Sequence, residues 1–229
     1  MIISICNEKG GSGKSTLAVN LSSRLAEDGD NILLFDSDPQ RSTEVFINIR
    51  NNSNLKQNFK HSSDINLLNS SFKNELNNYD AIIIDTGGRD SREMRKSMLL
   101  SNVIIIPTIA SQYDVSVLDH MLNIYKEVKS INKNIILLIL INRVSPNPFL
   151  IKDLNNLIDY IHEKKEANNL NDVFLLENVL YERQAYKRAV IEGKSISEFC
   201  DKNDKALIDF EKFYKEILQI IKNNTKDKG

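Results

Sequence analysis

Short, unbroken apolar runs alternate along this chain with stretches in which apolar residues recur every three or four positions. The runs are Ile2 to Cys6, Asn31 to Phe35, Ala81 to Ile84, Asn102 to Pro107, Asn134 to Ile141 and Val173 to Leu176. Runs of this length, without polar alternation, read as strands buried on both faces. The helical period carries Leu17, Leu21 and Leu25 in a segment from Ser15 to about Asp28, which Gly29 ends. It returns from about Val115 to Ile131, from Phe149 to Asn168, and from Lys205 to Ile221, where Leu207, Phe210, Tyr214, Ile217 and Ile221 form one stripe. Strand then helix, repeated, predicts an α/β fold: a doubly wound, mainly parallel sheet with helices on both faces and right-handed crossovers.

Two stretches are less regular. Arg41 to Leu76 is rich in Asn, Ser and Lys. A helix from Ser42 to Ile49 and a short strand at Ile65 to Leu68 are expected there, within either a solvated connector or a specificity surface. Arg89, Arg92 and Arg95 are expected on one face of a charged helix opening at Arg89. One domain is expected over residues 1–222, with a polar tail at 223–229.

Composition narrows the class. The chain has 229 residues, 41% of them hydrophobic, a formal net charge of -1 and two cysteines. That is enough apolar material for one core, with no run able to span a bilayer and no signal-peptide pattern at the start. Cys6 and Cys200 lack metal-ligand spacing and are expected as free thiols. A near-neutral chain carries no global nucleic-acid signal, so any DNA affinity must come from a local patch. His120 and His162 stand without companions that would suggest a metal site.

The candidate chemistry sits between the first strand and the first helix, in Lys9-Gly10-Gly11-Ser12-Gly13-Lys14-Ser15-Thr16. Strand, glycine-rich loop and helix together are the context of a phosphate-binding loop. Glu8 stands where the ordinary Gly-x4-Gly-Lys-Ser spacing has its first glycine. Glycines let the backbone turn tightly and aim its N–H groups at one point, and the helix N-terminus adds donors and a positive dipole end. Lys14 brings a full charge to the outer phosphates, Ser15 a hydroxyl for Mg²⁺, and Thr16 a donor to an inner phosphate. Lys9, on the far side of the loop, is poorly placed for its own nucleotide and better placed to reach one held by a facing subunit.

The loop resembles the deviant Walker A of the ParA/MinD superfamily, and the chain looks like the short, plasmid-type ParA proteins from Ile2 to about Ile221. The resemblance implies an ATP sandwich dimer in which Lys9 acts across the interface, with ATP and Mg²⁺ as cofactors. Asp36-Ser37-Asp38-Pro39-Gln40 matches the family's DxDPQ segment: Asp38 would position the attacking water and Asp36 would help hold Mg²⁺ through water. Asp85, ending the third run, takes the Walker B place as a further Mg²⁺ carboxylate; Gly87-Gly88 follow where the family usually has prolines. Asn142, and with it Arg143, is carried over as the base contact, and Pro146 and Pro148 stiffen a loop able to cover the base. Asp114 or its neighbours are expected at the dimer face. The segment from Arg183 to Gly193-Lys194-Ser195 is expected at the nucleotide pocket and the dimer edge.

Function follows by the same route. The resemblance implies a slow, partner-stimulated ATP hydrolase that dimerises on ATP, binds nucleoid DNA without sequence preference, answers to a centromere-binding partner, and resides in the cytoplasm rather than on a membrane. Arg183, Lys187, Arg188 and Lys194 are the candidate DNA contacts, a solvated helix face being the alternative. Two other classes stay open: a MinD-like membrane-positioning ATPase, and a metabolic P-loop enzyme of the dethiobiotin synthetase type.

Overall fold

The structure is a computed structural model, and it describes residues 1–68, 72 and 77–226. Seven strands form one sheet: β1 (Ile2–Ile5), β2 (Ile32–Asp36), β3 (Lys60–Ser62), β4 (Ala81–Asp85), β5 (Val103–Thr108), β6 (Ile136–Ile141) and β7 (Val173–Leu175). Their spatial order is β3-β2-β4-β1-β5-β6-β7 and every pairing is parallel. The order reverses at β1, so the loop after β1 opens into the crevice where such sheets bind ligands.

Eight α-helices flank the sheet among the described residues: α1 (Lys14–Glu27), α2 (Ser42–Asn52), α3 (Arg92–Leu100), α4 (Gln112–Ile131), α5 (Ile151–Ala167), α6 (Gln184–Ile191), α7 (Ile196–Phe199) and α8 (Lys205–Lys226). Successive strand residues face opposite sides, and both sides are covered. Ile83 and Ile105 pack with Leu21, Phe210 and Phe213 on one side. Ile104 and Ile106 pack with Met98, Leu118 and Tyr125 on the other, and Ile82 and Ile84 with Phe35 and Phe72. The apolar stripe of α8 is spent in the core, with Phe210, Phe213, Tyr214 and Ile217 all at most 2% exposed. Residues 227–229 of the expected tail lie outside the described residues, and α8 runs past Ile221 to Lys226.

Four expectations change. Ile65–Leu68 forms a 3-10 turn, not a strand; the strand of that region is β3, a polar edge strand of sequence Lys-His-Ser that carries no apolar run to announce it. Proline does not stop β5, because Pro107 lies inside it, paired with Leu140. Cys6 N donates to the Ile105 carbonyl, so residues 105 and 107 turn their backbone polar groups toward β1. Beyond Cys6, β1 has left the sheet. The Pro107 carbonyl takes Asn7 Nδ2 at 2.8 Å, and the N–H that proline lacks is one the ladder does without at this end of the strand. Arg89 precedes α3 instead of opening it, since Ser91 caps that helix by accepting from Met94 N. Gly193 and Ser195 serve packing: Ser195 forms a capping box with Glu198, and Glu198 pairs with the buried Arg50 of α2 at 2.7 Å.

Gly193 has a left-handed φ of +68°, and a Cβ placed there would lie 2.6 Å from Arg50 Cα. Gly193→Ala is therefore expected to lower stability by about 2–4 kcal/mol through strain and backbone overlap. Urea unfolding checks this; an unchanged midpoint would show that α2 and the turn after α6 part without cost.

Candidate nucleotide site

The loop after β1 is shaped by its glycines and braced from β6. Gly11 and Gly13 have φ of +76° and +93°, both in the left-handed region. Gly13 is the N-cap of α1 and offers no side chain, which leaves the first-turn amides free for an anion. Asn142 packs so closely that a Cβ on Gly13 would lie 2.4 Å from its Nδ2. That Nδ2 donates to the Ser12 carbonyl at 2.7 Å. Arg143, itself left-handed at φ +54°, donates to the Gly11 carbonyl at 2.5 Å and to Glu182 Oε1 at 2.9 Å. The pair carried over as base contacts is thus engaged in holding the phosphate loop, and Arg143 ties that loop to the segment before α6.

A cavity of about 940 Å³ opens over the loop. Gly10, Gly11, Gly13, Lys14, Ser15 and Thr16 line its floor, Asp38 and Gly87 to Arg89 one wall, and Asn142, Arg143 and Leu180 to Arg183 another. An apolar arm continues between α2 and α6, past Phe46, Tyr186 and Val190. Tyr186 and Val190 share one face of α6 at i, i+4 spacing, but no periodicity in the sequence joins them to Phe46, which comes from α2.

Lys14 is only 6% exposed. Burial lowers the pKa of its ammonium, and the carboxylates of Asp85 and Asp38 oppose that shift. Its Nζ donates to the Lys9 carbonyl at 3.1 Å. Asp85, on β4, is fully buried, and neither of its oxygens has a hydrogen-bond partner among the described residues. Burial pushes its pKa up to about 8; the neighbouring Ser15 hydroxyl, and after it the Lys14 ammonium, offset part of the rise. A buried carboxylate without partners, beside a phosphate cradle and next to Ser15 on the cavity floor, suits a divalent cation held on oxygen.

Asp36 is differently occupied. Its Oδ1 accepts from Asp38 N at 2.9 Å, and its Oδ2 from Thr43 N at 3.0 Å and Thr43 Oγ1 at 2.6 Å. These bonds shape the loop after β2 and present Asp38 to the cavity; any part in holding a cation is secondary to that. Asp38 in turn accepts from Gln40 N at 2.9 Å.

Lys9 points away from this cavity. Its Nζ lies 2.7 Å from Asp114 Oδ2, a carboxylate whose side chain is fully buried at the start of α4. Ser111 Oγ donates to the same oxygen. The Asp114 side chain is therefore turned inward, and Lys9 is the group on its solvent side. Sequence alone hid this pair, since its members are 105 positions apart. His120 is also engaged, with Nδ1 2.7 Å from Glu8 Oε2.

The candidate basic cluster is not gathered into one unpaired patch. Arg183 meets Asp209 at 2.8 Å, Lys187 meets Glu182 at 3.7 Å and Lys194 meets Glu192 at 2.8 Å. The Arg188 guanidinium lies 5.5 Å from the Phe199 ring centroid. Arg183 and Lys187 line the cavity instead. Both cysteines are free, and burial pushes Cys6 to about 12 and Cys200 to about 11, which leaves them unreactive near neutrality.

Between the ordinary carboxyl value of 3.8 and about 8, folded Asp85 keeps a proton that the unfolded chain releases. This group therefore costs stability increasingly as pH rises through that window. Asp85→Asn is expected to stabilise the nucleotide-free protein, more at about pH 8 than at about pH 5. Thermal unfolding at both values checks this, and a gap independent of pH would contradict the buried, unpartnered state of the carboxylate.

Residues 3–196 match the model of the CobQ/CobB/MinD/ParA nucleotide binding domain. The chain is 30% identical over 131 residues to protein virC1 of Rhizobium rhizogenes, which takes in 56% of this chain and 55% of that relative, about half its length. It is 27% identical over 210 residues to the virulence plasmid ParA family protein pGP5-D of Chlamydia psittaci, covering 85% of this chain and 78% of the relative. The fold superposes on a putative plasmid partition protein from Borrelia burgdorferi bound to AMPPNP, with TM-score 0.69, 21% identity, and 95% and 98% of the two chains covered. Among the described residues no helix is long and apolar enough to cross a membrane. With the braced glycine loop, the buried lysine and the orphaned carboxylate all inside the matched span, the chain belongs to the CobQ/CobB/MinD/ParA nucleotide-binding family.

Proposed function

We propose that this protein is a ParA-type ATPase that dimerises on ATP, binds DNA without sequence preference and drives plasmid or chromosome partition from the nucleoid. A centromere-binding partner would stimulate hydrolysis. The observation that carries the reading is the division of labour between two lysines. Lys14 is buried in the cradle of its own protomer, while Lys9 leaves the same loop in the opposite direction, to Asp114.

The chain's own groups suggest how hydrolysis would run. Amides of residues 10–16 fix the phosphates at the α1 N-terminus, and Lys14 offsets charge on the outer ones. Asp38, held by the Asp36–Thr43 knot, orients a water for in-line attack on the γ-phosphorus; the bond to the bridging oxygen breaks and ADP leaves. Ser15 and Asp85 would hold Mg²⁺, with Asp36 in support, and the ion supplies charge neutralisation at the outer phosphates when bound. Lys9 is exchanged from the Asp114 carboxylate to the γ-phosphate of a facing subunit. That exchange replaces one charge-assisted bond by another, so ATP, and not ADP, is the nucleotide that can drive it.

DNA binding is measured with ADP, with ATP, and with ATP plus the Lys9→Ala variant. Tight, salt-sensitive binding is expected only for the wild type with ATP, with a log–log salt slope of roughly -0.9 for each phosphate neutralised. Lys9→Ala is expected to keep nucleotide affinity within about threefold while hydrolysis falls about a thousandfold, as for loss of a group supplied in trans. Equal DNA binding under all three conditions would overturn the proposal.

A further inference from the structure

The inference concerns Arg89 and rests on the ATPase reading above. Arginines in this protein are almost all committed. Arg24, Arg41, Arg50, Arg95, Arg143 and Arg183 each face a carboxylate, and Arg188 lies over an aromatic ring. Among the described residues Arg89 and Arg92 have no acidic partner. Of these two, Arg89 alone lines the nucleotide cavity.

Its isolation is built into the local sequence. The neighbouring carboxylate, Asp90, is gripped by Arg95, whose Nε and Nη2 both reach it at 2.8 Å. Arg95 Nη1 is fixed in turn by Glu127 at 2.6 Å. The nearest acid in the chain is therefore occupied, and the exposed Arg89 guanidinium is left without a counter-charge among the described residues.

The turn that carries Arg89 belongs to one particular end of the cavity. A Cβ on Gly87 would lie 3.3 Å from Asp38 Oδ1, and one on Gly88 would lie 3.0 Å from Gly10 Cα and 3.4 Å from Lys14 Nζ. Gly87 and Gly88 thus sit between the carboxylate that orients water and the lysine that serves the outer phosphates. Arg89 is the next residue. The segment holding Leu180 to Arg183 forms the far wall. That leaves an arginine with no acidic partner among the described residues at the Lys14 and Asp38 end of the cavity.

We infer that Arg89 is a γ-phosphate contact in its own protomer, a second cation beside Lys14. Its planar fork matches two oxygens of a phosphoryl group and strengthens as charge shifts outward during transfer. It also ties the two-glycine loop to the presence of the third phosphate, so ATP and ADP leave that loop in different states.

The test compares wild type, Arg89→Ala, Arg89→Lys and Arg92→Ala by displacement of a fluorescent nucleotide with ATPγS and with ADP, and by hydrolysis at saturating ATP. Arg89→Ala is expected to weaken ATPγS about tenfold or more, to leave ADP within about twofold, and to slow hydrolysis about a hundredfold. Arg89→Lys should fall between, because the charge stays and the fork is lost. Arg92→Ala should match wild type in every arm. Unchanged ATPγS affinity in Arg89→Ala, or an equal loss for ADP and ATPγS, overturns the assignment. A wild-type protein that neither binds nor hydrolyses the triphosphate overturns the ATPase reading instead, so the two failures are distinct.

Discussion

Lys14 and Asp85 are both withdrawn from water at the carboxyl edge of the sheet; the ammonium reaches the Lys9 carbonyl, while neither carboxylate oxygen has a hydrogen-bond partner among the described residues. Burial lowers the pKa of the ammonium and raises that of the carboxylate, so each charge is held at a cost. A polyanion with a divalent cation relieves both at once. The remaining features of the site serve to keep this pair in place: strands buried on two faces, a loop whose glycines leave the cradle open, and a helix N-terminus with no side-chain cap.

Rigidity of the cradle comes from outside it. Asn142 and Arg143 stand at the end of β6 and grip the carbonyls of Ser12 and Gly11, so the loop's amides face the cavity. Arg143 continues to Glu182, and Glu182 to Lys187 on α6. The phosphate loop, the segment before α6 and α6 itself thereby form one series of hydrogen bonds and ion pairs. On the opposite side the loop after β2 is tied to Asp36 through Thr43. The two walls differ in how they are built: one braces the loop through side-chain hydrogen bonds, while on the other Gly87 and Gly88 pack closely against Asp38 and Gly10.

Charge pairing separates the basic residues into three kinds. Arg183, Lys187 and Lys194 sit beside acids and contribute little net field. Lys9 is paired too, but with a buried carboxylate that also takes Ser111, which gives it a defined resting position. Arg89 has no acidic partner among the described residues and lines the cavity. Under the proposed ATPase reading these distinctions matter, because the triphosphate must be told from the diphosphate by groups that answer to a single extra phosphate.

Much of this was legible in the linear pattern. Unbroken apolar runs marked six of the seven strands, because a strand covered on both faces has no polar side to alternate, and the glycine-lysine spacing placed the cradle. The edge strand Lys60–Ser62 was not legible, since it buries almost nothing. Nor was the role of Asn142, whose amide suits a base edge or a carbonyl equally well until Ser12 is seen beside it. The primary structure determined the elements, the parallel layering and the phosphate loop, all set by neighbours a few residues apart. Tertiary structure alone decided which charges pair: Lys9 with Asp114, Asp90 with Arg95 and not with its neighbour Arg89. Such partners are chosen by distance through the fold, and nothing in local spacing encodes that distance.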